Sequence, residues 1–419
     1  MNKLIKYAGR IGTVLCLMIL VWSCATVPGL QEESSSTYIR IPFVRVLLDE
    51  SHGEATVSAD GSFAIECLKQ GEQTVFYSSR AVTVKTSRDF LRVENHKGAI
   101  IQDRLDEVNI IPRGNNNRVV LNGARYRGIL KILPEGQSVE LINVIYMEDY
   151  LRGVVPPEIG KRTDDELQAV MAQAVAARTY AMAHLQQYAN KQYDMKSSII
   201  DQVYQGHDVE EKLVNRAIDL TAGRVLFFED KYINAYYHST CGGYTDDIAT
   251  VWDRKELPYL QPVADNGACS WSKYYNWKET FTEEQLRGRI EQYLSSDRGR
   301  DLRIGKIRDI TISELTPGGR VATMLVHTDN DVFRFYKDRI RWVVGRTSNP
   351  DLILPSGRFK VEIERDGRGE IESITFAGSG YGHGVGMCQC GAIGLSREGW
   401  TYDKILTHYY VGAEVRKLY

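Results

Sequence analysis

A chain of 419 residues that is 43% hydrophobic and 25% charged can bury a core, which excludes disorder over most of its length. Its formal net charge of -2 excludes the global basic field of a nucleic-acid binder. The length suits two or three domain-sized units. Twenty-four Tyr and six Trp stand out; such rings stack on sugar faces, although most belong in a core.

At the N-terminus, Lys3, Lys6 and Arg10 precede an apolar stretch from Ile11 to Trp22. A basic head and so short a run fit a secretory signal better than a spanning helix. The run ends at Val21-Trp22-Ser23-Cys24, similar to a bacterial lipobox with an unusual Trp. We therefore expect a signal over 1–24, lipid on Cys24, and a linker over 25–37 that includes Ser34-Ser35-Ser36. The folded part would sit at a membrane of the cell envelope, facing the periplasm or exterior. An uncleaved anchor or plain secretion is the alternative. Export permits disulfides, but the five remaining cysteines, Cys67, Cys241, Cys269, Cys388 and Cys390, cannot all pair within one chain. A metal site or a free thiol follows.

Residues 38–140 read as a β-rich N-terminal region. Glu54 to Glu66 alternates around Asp60-Gly61, and Arg118 to Leu133 around Asn122-Gly123, both hairpin signals. Helical periodicity then takes over. Thr163-x-x-Glu166 is a capping box that opens a helix over about 164–188. Leu167, Val170, Met171, Ala174, Met182 and Leu185 share one face. A shorter helix is expected over 281–294. Strands follow at about 307–315, 321–327, 359–364 and 370–376, the last two joined at Asp366-Gly367. A final helix spans about 401–410. The mixture lacks βαβ regularity and is α+β, with 141–419 as the mixed α+β domain.

Four stretches carry candidate chemistry. Arg178 interrupts the apolar helix stripe, and a buried guanidinium without an anion costs several kcal/mol. It either braces a core carboxylate or faces a cleft. Glu158 follows Pro156-Pro157, which stiffen a turn that can hold a catalytic acid; an exposed loop position is the plain alternative. Ser379 to Met387 alternates glycines around Tyr381 and His383, so the backbone can approach a ligand closely. His238-x-x-Cys241 has metal-ligand spacing, and Cys269 with Cys388 or Cys390 would complete a tetrahedral zinc site. A Cys241–Cys269 disulfide is the rival.

These stretches resemble, in order, the stage II sporulation protein D and amidase-enhancer family. The matching pieces are Tyr150 to Glu158, Ala172 to Tyr180, Asp201 to Tyr204, Tyr237 to Thr245 with Trp252, Gly382 to Ala392, and Ile405 to Tyr410. The sequence departs from the family pattern at Ile159, where Met is usual, and at Cys390, where an aromatic is usual. The resemblance implies a lytic transglycosylase that cuts peptide-free peptidoglycan strands to 1,6-anhydro-muramic ends. Glu158 would be its acid/base, with Arg178, Tyr204, Tyr381 and His383 binding substrate. His238 and Cys241 would fall where some members hold zinc, expected here to be structural. One carboxyl group suffices for this reaction, and the sequence shows no obvious second. The rival roles are a glycan-binding activator of a separate cell-wall amidase and a zinc hydrolase.

Overall fold

The computed structural model describes residues 41–50, 52–114, 116–198, 201–349 and 351–419. The expected signal, Cys24 and the spacer lie outside the described residues. No described helix is long and apolar enough to cross a membrane.

The N-terminal region is a two-sheet sandwich. Its seven-stranded sheet places Met195–Lys196 beside β1 (Phe43–Asp49), followed by Ser138–Tyr146, Ile129–Glu135, Glu107–Pro112, Phe63–Lys69 and Glu72–Ser78. The six-stranded sheet runs from Ala124–Tyr126 through Val119–Leu121, Glu54–Ala59, Val82–Ser87 and Phe90–Asn95 to Ile100–Leu105. Inward residues of both, among them Val57, Val84, Ile65 and Ile110, share one core.

Asn122-Gly123 does close a hairpin, with φ of 52° and 83° at the two turn residues. The Asp60-Gly61 expectation is corrected. Glu54–Ala59 pairs with strands of the six-stranded sheet, whereas Phe63–Lys69 pairs with strands of the seven-stranded one. The turn is thus a corner between sheets. It is pinned by Asp60 N–H to the Arg118 carbonyl at 3.0 Å and Gly61 N–H to Asn117 Oδ1 at 2.7 Å.

The boundary expected at 140/141 falls inside the Ser138–Tyr146 strand, which pairs with β1 on one side and Ile129–Glu135 on the other. That strand runs directly into α1 (Met147–Ile159). The Thr163/Glu166 capping box opens a 3-10 turn over Asp164–Glu166, and α2 (Leu167–His184) continues from it. Every residue of α2 from Ala169 to Ala181 is buried. The apolar stripe therefore understates the helix: small alanines on the remaining faces let α1, the Lys212–Leu220 helix, Gln389–Arg397 and Tyr402–Tyr409 all pack against it.

Residues between about 276 and 379 form a separate core around Phe281, Leu286, Met324 and Phe376. The Glu283–Arg298 helix starts on a Thr282/Gln285 capping box. Phe359–Arg365 and Ile371–Ser379 form the hairpin expected at Asp366-Gly367. The chain then rejoins the α2-centred core, which includes Val385, Met387 and Cys388. Strands and helices segregated in this way make the protein α+β.

Candidate active site

Glu158 lies in the last turn of α1, not on a separate proline-stiffened turn. Two prolines inside a helix normally disrupt it, because each removes an N–H that would bond the carbonyl four residues back. Here the carbonyl that Pro157 leaves open, Gly153 O, accepts instead from Gln205 N–H at 3.1 Å. Gly153 also admits the visiting loop: a Cβ there would lie 2.5 Å from the Tyr204 ring and 2.8 Å from Gly206 O. The docked segment in turn aims Val203 N–H at Glu158 Oε1, 3.3 Å away.

Glu158 forms part of the wall of a cleft of about 700 Å³. Tyr180, Tyr236, Tyr237, Trp252, His184, Asp201, Arg254 and His383 are among the other lining residues. Burial pushes the Glu158 carboxyl above the ordinary range, opposed by hydrogen bonds from Val203 N–H, Tyr237 and Gln389. Tyr237 belongs to a fixed chain of donors. Tyr150 O–H donates to Gln202 Oε1 at 3.0 Å, and Gln202 Nε2 donates to Tyr237 Oη at 3.1 Å. Burial drives the Tyr237 phenol far above its usual range, so it stays a donor.

His383 lies in the cleft lining. Its Nδ1 accepts from Val385 N–H at 3.0 Å, so Nε2 carries the proton and donates to Tyr237 O at 3.0 Å. Burial pushes its pKa down to about 4, leaving it neutral. The glycines serve close approach: Gly386 has φ of 70°, and a Cβ on it would lie 2.0 Å from Tyr236 O. Trp252 packs on His383 with ring centroids 4.8 Å apart.

The cleft holds more than one carboxylate. Asp201 and Asp253 also line it. Asp201 accepts from Tyr188 O–H at 3.0 Å, Gln187 Nε2 at 2.8 Å and Lys196 N–H at 2.8 Å. The hydrogen bond from Lys337 holds Asp253 below the usual carboxylate range. Burial favours the acid form of Glu158, whereas Lys337 favours the charged form of Asp253.

Three residues expected to bind substrate lie elsewhere. Arg178 is fully buried, with Nε and Nη2 donating to the two Glu148 oxygens at 2.8 and 2.6 Å and Nη1 to Arg224 O at 3.1 Å. The bracing reading of Arg178 therefore replaces the cleft reading. Tyr204 is also buried, its hydroxyl donating to Asn143 Oδ1 at 2.7 Å beneath α1. Tyr381 packs on Tyr274, ring centroids 4.3 Å apart, outside the cleft lining. Asp201, Gln202, Tyr237 and Gln389 lie within the quoted motifs, but nothing in the sequence distinguishes cleft-facing from core-facing positions there.

A second cluster lies behind the cleft. Cys241, Cys269, Cys388 and Asp265 are buried, and one ligand atom from each falls within 4.8 Å of the others. Three of the expected ligands are thus brought together. Asp265 stands in the cluster in place of His238, whose Nδ1 meets Val385 O at 3.2 Å and whose buried Nε2 has no hydrogen-bond partner among the described residues. Cys390 stands apart, its Sγ accepting from Thr240 Oγ1 at 3.4 Å. Cys241 and Cys269 sulfurs are 3.5 Å apart, a hydrogen-bond contact with no disulfide between them. A zinc ion with Zn–S of about 2.3 Å spaces tetrahedral sulfurs about 3.8 Å apart, so this set fits one. The donors suit it too: Cys388 Sγ receives N–H groups from Cys241 at 3.1 Å and Gly391 at 3.2 Å, and Cys241 Sγ receives one from Gly243 at 3.3 Å. The cluster could hold a metal ion.

A family model described as stage II sporulation protein matches residues 135–228, and one for a domain of unknown function matches 268–386. The chain is 31% identical over 299 residues to stage II sporulation protein D of Bacillus subtilis, covering 67% of this chain and 76% of that one. It is 28% identical over 377 residues to an uncharacterised protein of Brachyspira hyodysenteriae, covering 89% and 92%. A 28% match to the amidase enhancer of Bacillus subtilis covers 71% of this chain but 45% of that one. On this similarity and the order of its motifs, the chain belongs to the stage II sporulation protein D and amidase-enhancer family.

Proposed function

We propose that this chain is an envelope-located lytic transglycosylase that cleaves peptidoglycan glycan strands, with Glu158 as the single acid/base. The observation that carries the reading is a carboxyl raised by burial inside an aromatic-lined cleft. Protonated Glu158 gives its proton to the glycosidic oxygen as the C1–O bond breaks. The carboxylate then takes the proton of the same sugar's 6-hydroxyl while that oxygen bonds to C1, closing the anhydro ring. Val203 N–H, Tyr237 O–H and Gln389 stabilise the carboxylate between the two transfers, when it bears charge. Tyr180, Tyr236 and Trp252 give the cleft an aromatic wall against which sugars would pack. Mass spectrometry of digested peptide-free glycan tests the reading. The wild-type chain should leave 1,6-anhydro ends and Glu158→Gln should leave strands uncut; full cleavage by Glu158→Gln would remove the assignment.

The similarity to an amidase enhancer favours a second reading, in which the cleft holds glycan and the chain stimulates a separate amidase. Unchanged strands together with a faster amidase in the mixture would select it. In either case we propose that Cys241, Cys269, Cys388 and Asp265 hold a structural zinc that ties the Thr240–Asp247 loop to the Gln389–Arg397 helix. Without a cation, its hydrogen bond with Cys269 pushes the Cys241 thiol up, and burial pushes Cys388 up. Burial raises the Asp265 carboxyl to about 6. A divalent cation relieves all three. Elemental analysis should find one zinc per chain, lost in Cys388→Ser with a fall in Tm; a zinc-free chain of unaltered Tm would refute it.

A further inference from the structure

The cleft contains a cation for which the chemistry above has no use. Arg254 stands on its rim, exposed, with its guanidinium carbon 5.8 Å from the Tyr236 ring centroid and 5.7 Å from that of Trp252. Its Nη1 donates to the Tyr236 hydroxyl at 2.5 Å. Two aromatic faces and a phenol hold the group in place without neutralising it. Among the described residues no carboxylate pairs with Arg254. The adjacent Asp253 is taken by Lys337 at 2.9 Å, and Asp201 is already engaged by three donors. The two histidines that share the cleft, His184 and His383, are both pushed toward neutrality by burial. Among the described residues, Arg254 is therefore the one permanent positive charge lining it.

The arrangement connects directly to the acid. Arg254 binds the Tyr236 side chain, and the next residue, Tyr237, hydrogen-bonds Glu158. Trp252, which Arg254 overlies, packs on His383. A sugar lying on these rings next to Glu158 would present its ring substituents to the guanidinium fork. In a peptide-free strand each muramic sugar bears one ionised group, the carboxylate of its 3-O-lactyl ether. When a peptide is attached, that carboxylate becomes an amide and loses its charge. A planar guanidinium with free N–H groups matches a carboxylate and gains much less from an amide.

We propose that Arg254 recognises the free lactyl carboxylate of muramic acid, the group that an attached peptide converts to an amide. The proposal rests on the glycan-cleft reading of the function and names the substrate group that the cleft selects. Arg254 is a substrate-binding residue and takes no part in the proton transfers.

The test compares three oligosaccharides on the full chain by calorimetry and by product analysis. They are a peptide-free muramic oligomer, the same oligomer with its lactyl carboxylates capped as methylamides, and a neutral chitin oligomer. The wild-type chain should prefer the carboxylate form by about tenfold, the scale of one charge-assisted contact. Arg254→Gln should bind the carboxylate and capped forms alike, and Arg254→Lys should keep part of the preference. Chitin binding should be the same in all three proteins. In cleavage assays the loss should fall on KM rather than kcat. Equal or absent binding of the two muramic forms by the wild-type chain overturns the proposal. So does a preference that survives in Arg254→Gln, or a loss of chitin binding in that variant, which would make Arg254 a scaffold residue. A wild-type preference that disappears in Arg254→Gln, with no cleavage of any strand, supports the proposal while removing the transglycosylase reading.

Discussion

Glu158 is set by opposing influences of unequal size. Burial favours its neutral form, and three hydrogen bonds favour its charged form. Tyr237→Phe removes one of the three and keeps the ring. The carboxyl pKa should then rise further, moving the alkaline limb of kcat/KM to higher pH and lowering kcat about tenfold. A pH–rate profile checks this; an unmoved limb would show that the phenol does not act on the acid. Stability follows the same physics. A carboxyl whose folded pKa lies above its unfolded value binds its proton more tightly in the fold, so the stability it contributes is complete below the unfolded pKa and is lost as pH rises through the folded one. Glu158→Gln should therefore have the higher Tm at neutral pH, and the difference should close as pH falls into the carboxylic range. Thermal melts across pH measure it, and a lower Tm for the variant at pH 7 contradicts it.

At the scale of elements, α2 and α1 are joined by a buried ion pair. Arg178 and Glu148 are 30 residues apart, and Glu148 also accepts from Gly223 N–H at 3.3 Å and Tyr419 O–H at 2.6 Å. Arg178→Met leaves that carboxylate without its cation and should cost about 3–5 kcal/mol, read by denaturant unfolding. Cleavage constants of the folded fraction should be unaltered; a selective loss of kcat at wild-type stability would return Arg178 to the site. The sequence shows that a guanidinium inside an apolar stripe requires an anion, yet leaves open which one, because the pairing is tertiary. α1 was hidden for a related reason. Pro156-Pro157 reads as a helix breaker, and the replacement donor, Gln205, lies in a loop nearly fifty residues downstream. Asp265 was invisible because a lone acid has no spacing signal, while the cysteines stand out by rarity. The hairpins at Asn122-Gly123 and Asp366-Gly367 were legible because their chemistry is local.

Across the whole molecule, the sandwich and the α2-centred core are not separable at 140/141. Val44 and Val46 of β1 belong to the same core as Val154, Val170 and Val175. β1 also takes Met195–Lys196 as a parallel neighbour, so the chain after α2 returns to the sandwich. A fragment starting at Leu141 loses both partners of the Ser138–Tyr146 strand. It should show no cooperative thermal transition in near-ultraviolet dichroism, whereas a fragment that melts like the full chain would make the sandwich an appendage. Asp60-Gly61 misleads at this scale: alternation around a tight turn satisfies a hairpin and a corner between sheets equally, and only the distant strands choose.

The vacancy at Pro157 has an implication for how this catalytic acid can vary. Gly153 O is a socket left open by an imino acid and filled from another part of the chain. Restoring an amide at 157 would let the helix seal its own socket and evict the visitor, and the visitor carries the amide that touches the acid. Proline, glycine and the Asp201–Gly206 segment are thus bound to change together or not at all.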